Sequence, residues 1–181
     1  MIASLCRLGI GLLIVALAGC GVADRVGNRV DDTWAGDLLG NKERVRVTVD
    51  ADASVNPGAD GEPLSVVVRV YQLTERTAFT TASPRQLWRE GEAVLGNALV
   101  SEREITLLPG EDKVDVAALD PTTQFVGVAA FFRNTISGEW QALFAATELR
   151  NDGLLSASEG VKLELVEDRI VVERGQNLLE Q

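Results

Sequence analysis

Histidine is missing from all 181 residues, and cysteine stops at position 20. Without imidazole there is no Ser/His/Asp triad, no Cys/His dyad and no histidine metal ligand. The two cysteines, Cys6 and Cys20, both lie near the start, so the remainder has neither thiol nor disulfide. A cysteine-based zinc site is therefore excluded. Basic residues are scarce too, 17 against 27 acidic, for a net charge of −10. A nucleic-acid binder needs a basic face to displace counterions, so that class is set aside. No apolar run is long enough to span a bilayer, which takes about 20 residues. The length that remains suits one domain with a real core.

The N-terminus reads as an address. Arg7 precedes an apolar stretch over residues 8–18, and small residues follow. That order describes a secretory signal. Leu17-Ala18-Gly19-Cys20 resembles the bacterial lipobox, with cleavage between Gly19 and Cys20 and a lipid on the Cys20 thiol. Stable anchoring takes two or more acyl chains, at about 0.8 kcal/mol per buried CH₂. Gly21 stands where enterobacterial lipoproteins kept in the inner membrane carry Asp, which favours the outer membrane. The expected division is a signal peptide over residues 1–19, a lipid-anchored tether over 20–42, a folded domain over 43–176 and a tail over 177–181. The only cofactor-like group expected is the covalent lipid. In the tether, Asp32 is placed to cap one short helical turn carrying Trp34 and Leu38.

From residue 43 the hydrophobic period is two. Val45, Val47 and Val49 alternate with polar residues as in a half-buried strand. Residues 53–63 hold two prolines, two glycines and an Asp, which make a loop. Residues 64–73, LSVVVRVYQL, read as a central strand covered on both faces. Residues 74–98 break the β pattern. Ser83-Pro84 starts a helix there, with Leu87, Trp88, Val94 and Leu95 on one face. Further strands are expected around Ile105 and Leu107, around Val114 and Val116, over 124–133, over 139–147, around Val161–Leu165 and over 170–173. Eight short strands with polar turns predict an antiparallel sandwich or barrel.

Candidate chemistry is thin. Glu102 and Glu104 share a strand face, but a solvated face explains them with Ile105 and Leu107 opposite. Asp112 and Asp115 lack the ligand spacing of a calcium loop. Ser156 and Ser158 have no histidine partner, and Lys42, Lys113 and Lys162 sit in no recognisable motif. Trp88, Phe131, Phe132, Trp140 and Phe144 read chiefly as core, with a ligand groove as the other option. Catalysis is not expected. The rival readings are a lipid-anchored periplasmic module for a small apolar ligand and a periplasmic hydrolase.

The pieces that carry a resemblance run in order: the lipobox, Asn56-Pro57, residues 63–73, Phe79, Gln86-Leu87-Trp88, Leu108-Pro109-Gly110-Glu111, residues 126–133 and Trp140. Together they resemble the TssJ family of outer-membrane lipoproteins from type VI secretion systems. The resemblance implies a transthyretin-like antiparallel β-sandwich of two four-stranded sheets with a helical insertion after the second strand. It implies a structural adaptor on the periplasmic face of the outer membrane. Its partner would be the periplasmic C-terminal part of the inner-membrane protein TssM, and indirectly TssL, with no nucleic acid and no small-molecule substrate. In some members the loop between the first two strands contacts TssM. Here that loop offers Ser54, Val55, Asn56, Pro57, Gly58, Ala59, Asp60, Gly61 and Glu62. Asp60 and Glu62 would steer a basic partner. A Gly/Ser linker in place of residues 56–62 is expected to keep the fold.

Overall fold

A computed structural model describes residues 43–135, 137–150 and 159–180. The expectations for the signal, Gly19, Cys20, Gly21 and the tether lie outside the described residues, as do Ser156 and Ser158. The chain runs β1 (Arg44–Ala51), β2 (Val66–Leu73), α1 (Thr77–Thr81), α2 (Pro84–Leu95), a 3-10 turn (Gly96–Ala98), β3 (Leu99–Leu107), β4 (Asp112–Ala118), β5 (Phe125–Phe131), β6 (Gln141–Ala145), α3 (Ala146–Leu149), β7 (Val161–Val166) and β8 (Arg169–Arg174).

The strands form two four-stranded sheets, ordered β4-β1-β7-β8 and β3-β2-β5-β6. In β1 every second residue, Val45 to Ala51, is buried. In β7 Val161, Leu163 and Leu165 do the same. These faces meet Val66, Val68, Val70, Val126, Val128, Ala130, Ala142 and Phe144 in one core. Fully burying each Val, Leu or Phe contributes roughly 1.5–3 kcal/mol.

One pair departs from the expected antiparallel arrangement, because β1 runs parallel to β7, with Val47 opposite Val161 and Ala51 opposite Leu165. β6 belongs to the other sheet, so the step from β6 to β7 is a crossover between sheets. A parallel neighbour needs such a crossover rather than a tight hairpin.

β4 is the strand expected around Val114 and Val116, with its two valines facing out. Its register sets Val114 opposite Thr48 and Val116 opposite Arg46, on the outer face, and both valines are exposed. Lys113, Asp115 and Ala117 point inward instead. Asp115 accepts from Arg103 Nε at 2.8 Å, closing the open side between edge strands β3 and β4. Inward charges on an edge strand also discourage pairing with a second chain.

The helical insertion covers the outer face of β2 and β5. Gly127 is where this cover comes closest, since a Cβ there would lie 2.8 Å from the Phe79 ring. Ser83 caps α2 reciprocally with Gln86, and Pro84 fills its first position. The helix breaks at Glu90, whose backbone is non-helical. The buried face is Leu87, Gly91 and Leu95, while Trp88 is 45% exposed. Val94 packs partly buried against the same core, so of the four residues expected on one face Trp88 is the one that turns out.

Two buried amides tie the sheets together at opposite ends. Gln72 donates to the Ala118 carbonyl at 2.8 Å and accepts from Asp120 N–H and the Thr123 hydroxyl, each at 2.9 Å. Asn56 serves the other end, described below. Such satisfied networks rigidify a core. At the start of β1, Glu43 forms an ion pair with Arg150, which also donates to the Thr123 carbonyl at 3.0 Å.

Candidate docking end of the sandwich

Four connections share one end of the sandwich, those after β1, β3, β5 and β7. The first of them, residues 52–65, is the loop singled out by sequence. Its base is held rather than free. The Ser54 hydroxyl and amide donate to Asp52 Oδ1 at 2.6 and 2.8 Å. That pair holds the Asp52 carboxyl below its usual range. Val55 is fully buried, and its carbonyl accepts from Leu64 N–H.

Asn56 is the pin. It is 7% exposed and has a φ of 51°, in the left-handed region that Asn tolerates better than most residues. Its amide donates to the Glu167 carbonyl at 2.7 Å, in the turn between β7 and β8. Its Nδ2 donates to the Ser65 carbonyl at 2.6 Å, and its Oδ1 accepts from Arg133 N–H at 2.7 Å. One side chain and its backbone thus join both sheets. A linker replacing residues 56–62 would remove this pin, so the fold-preserving exchange narrows to residues 58–62.

Beyond Asn56 the loop turns outward. Pro57 and Gly58 are half-buried; Ala59, Asp60, Gly61 and Glu62 are exposed. Gly58 N–H donates to the Glu62 carbonyl at 2.8 Å, and Gly61 takes a φ of 82° to close the turn. The Glu62 carboxylate folds back to accept from Asp60 N–H at 3.2 Å. Of the nine candidate residues, the presented tip is therefore 57–62. Val55 and Asn56 hold it in place.

Beside this loop lies a surface cleft of about 490 Å³, lined in part by Trp88, Phe131 and Phe132, three of the aromatics that the sequence offered for a groove. It runs from Ser65 and Val67 to Trp88, Phe131 and Arg133. Phe131 packs against Trp88 at 5.0 Å between ring centroids. Beneath them, the Arg69 guanidinium lies 4.9 Å from the Trp88 ring and 5.2 Å from the Phe131 ring. Arg69 also donates to the Leu87 carbonyl at 3.1 Å, in the turn that precedes the helix break at Glu90. Glu104 at 2.9 Å and Glu102 at 3.3 Å neutralise it. Those two carboxylates, read from sequence as a solvated face, are Arg69's counterions. Next to them, burial above all, with the Glu102 charge, pushes the Tyr71 hydroxyl up to about 12.

The other sequence candidates fall apart spatially. Asp115 serves Arg103, and Lys113 pairs with Glu111 at 3.2 Å. Lys162 sits between Asp50 at 2.9 Å and Glu173 at 2.7 Å, which raise its pKa. Phe144, Trp140 and Phe132 are core residues. No group of three or more His, Cys, Asp or Glu among the described residues is arranged to hold a metal ion. No helix among them is long and apolar enough to cross a membrane.

Comparison with known proteins agrees with this architecture. A lipoprotein TssJ1 of Pseudomonas aeruginosa type VI secretion is 26% identical, with a TM-score of 0.60, over 75% of this chain and 99% of that one. A chain in the structure of the type VI TssM C-terminal domain from EAEC is also 26% identical, with a TM-score of 0.62, over 71% and 98%. Serratia marcescens Lip, described as a membrane-bound component of the type VI secretion system, shares the fold at 20% identity and a TM-score of 0.63, over 73% and 98%. A search of curated proteins finds no match. The family described as "Type VI secretion lipoprotein, VasD, EvfM, TssJ" matches residues 43–168, more than half of the sequence, and the chain belongs to that family.

Proposed function

We propose that the protein is a non-catalytic adaptor of a type VI secretion membrane complex. In this reading Cys20 is lipidated after cleavage at Gly19, and Gly21 directs the protein to the periplasmic face of the outer membrane. The folded domain then docks the periplasmic C-terminal part of a TssM-like inner-membrane protein, and through it a TssL-like protein. The observation that carries the reading is family membership across residues 43–168. The rigidly mounted 57–62 tip supports the choice of contact. A loop held by a buried amide loses little conformational entropy on docking.

The test exchanges residues 58–62 for a Gly/Ser linker, leaving Asn56 in place. Calorimetry against the TssM-like periplasmic domain should show weakened binding by a protein that melts as the parent does. Unchanged affinity would move the contact off this loop. For the anchor, Cys20→Ser should release the protein from the membrane fraction, and retention there would overturn lipidation at that residue.

A further inference from the structure

The cleft beside the loop carries its own charge pattern, and the docking proposal makes no use of it. Arg85 and Arg89 lie four apart on α2, and Arg133 lies just beyond β5. All three are exposed and line the cleft. None of the three guanidinium groups has an ion-pair partner among the described residues. In a chain of net charge −10, that is a local reversal of sign. Between them Val67, Trp88 and Phe131 give the cleft an apolar stretch, with Ser65, Ser83 and Thr135 also in its lining.

We propose that this cleft binds an extended segment of a partner protein in which carboxylate side chains flank an aromatic or branched apolar one. The guanidinium fork matches a carboxylate in a two-point hydrogen bond, which favours Asp or Glu over a neutral partner. Trp88 is half out of water although Arg69 and Phe131 hold it on two sides, and its free surface gains by covering an apolar side chain. The volume suits a few side chains rather than a folded domain. An anionic membrane surface is the poorer match, because its broad field would meet the acidic remainder of the protein as well as the arginines. A narrow peptide meets only the local patch.

The test uses the full chain in neutral detergent and two fluorescent hexapeptide pools. One pool has Asp or Glu flanking a central Trp, Phe or Leu; the other has Lys or Arg in the flanking positions. The acidic pool should bind saturably and the basic pool should not. Arg85→Glu with Arg89→Glu, at exposed helix positions, should weaken the acidic pool about tenfold or more and favour the basic pool. Trp88→Ala should weaken the acidic pool as well, with an unchanged circular dichroism spectrum. Equal binding of both pools, no binding of the acidic pool, or an unaffected double variant would each overturn the proposal. So would binding only to phosphatidylglycerol vesicles that the double variant abolishes, which would give the cleft to lipid headgroups. Loop exchange at 58–62 leaves the cleft's arginines intact, so the two proposals fail separately.

Discussion

Arg69 holds Trp88 by two different atoms. Its guanidinium carbon lies 4.9 Å from the Trp88 ring centroid, and its Nη1 donates to the Trp88 carbonyl at 3.4 Å. The same guanidinium is paired to Glu102 and Glu104 on β3. A single side chain therefore fixes the α2 break, the edge strand and the aromatic side of the cleft.

Replacing Arg69 by Leu should accordingly cost more than a surface ion pair does. It leaves two carboxylates without a counterion and removes the Arg69 bonds to the Leu87 and Trp88 carbonyls. A loss of about 2 kcal/mol in urea unfolding is expected. Arg69→Lys should recover only part of it, since an ammonium lacks the planar fork and stacks poorly. Full recovery by Lys would show that charge alone matters there.

Asn56 allows its backbone and side-chain contributions to be separated. Asn56→Gly keeps the left-handed backbone accessible but loses the bonds to Ser65 and Arg133, for about 2 kcal/mol. Asn56→Ala loses the same bonds and adds left-handed strain of roughly 1–2 kcal/mol. Glycine's greater freedom in the unfolded chain offsets about 0.4–1 kcal/mol of that difference. The Ala variant should thus be the less stable by somewhat under 1 kcal/mol in denaturant midpoint comparisons. A Gly variant at or below Ala would remove the strain argument.

Stability should be flat near neutrality and fall in acid. No histidine titrates between about pH 6 and 8. Asp52, Glu75, Glu111 and Asp120 have folded-state values below 3.8 for Asp and 4.5 for Glu, because nearby hydroxyl, amide or ammonium groups donate to each carboxylate. A depressed value means the contribution is complete above the unfolded-state pKa and is lost as pH falls through the folded one. Melting temperature followed by circular dichroism should therefore hold from pH 8 down to about 5 and decline below about 4.5. A step near pH 6.5 would contradict this assignment.

The number of strands was legible in sequence because alternation in Val45–Val49 and Val161–Leu165 survives in the fold. β4 forms where Val114 and Val116 place it, but the face they take was not legible, because the edge strand turns charge inward to meet Arg103. The second strand was expected from Leu64, yet it starts at Val66, since Leu64 N–H is taken by the Val55 carbonyl. The loop was visible from its prolines and glycines. Which of its residues anchor it was not, because the partners of Asn56 lie at Ser65, Arg133 and Glu167 and are brought together only by folding. The cleft was signalled in part by Trp88, Phe131 and Phe132 as groove candidates, while its arginines, on α2 and beyond β5, are brought together only by folding.

The placement of β1 also sets how the domain bears a pull. The chain enters this strand at Glu43, where Arg150 grips it, and leaves at Ala51 for the loop. β1 is an inner strand of its sheet, bonded to β4 on one side and β7 on the other. Tension drawn between the N-terminal side and the loop acts along the strand axis, across hydrogen bonds that lie sideways to it. Those bonds share the load at once instead of opening one after another. An edge strand pulled from its end would peel; this one must shear.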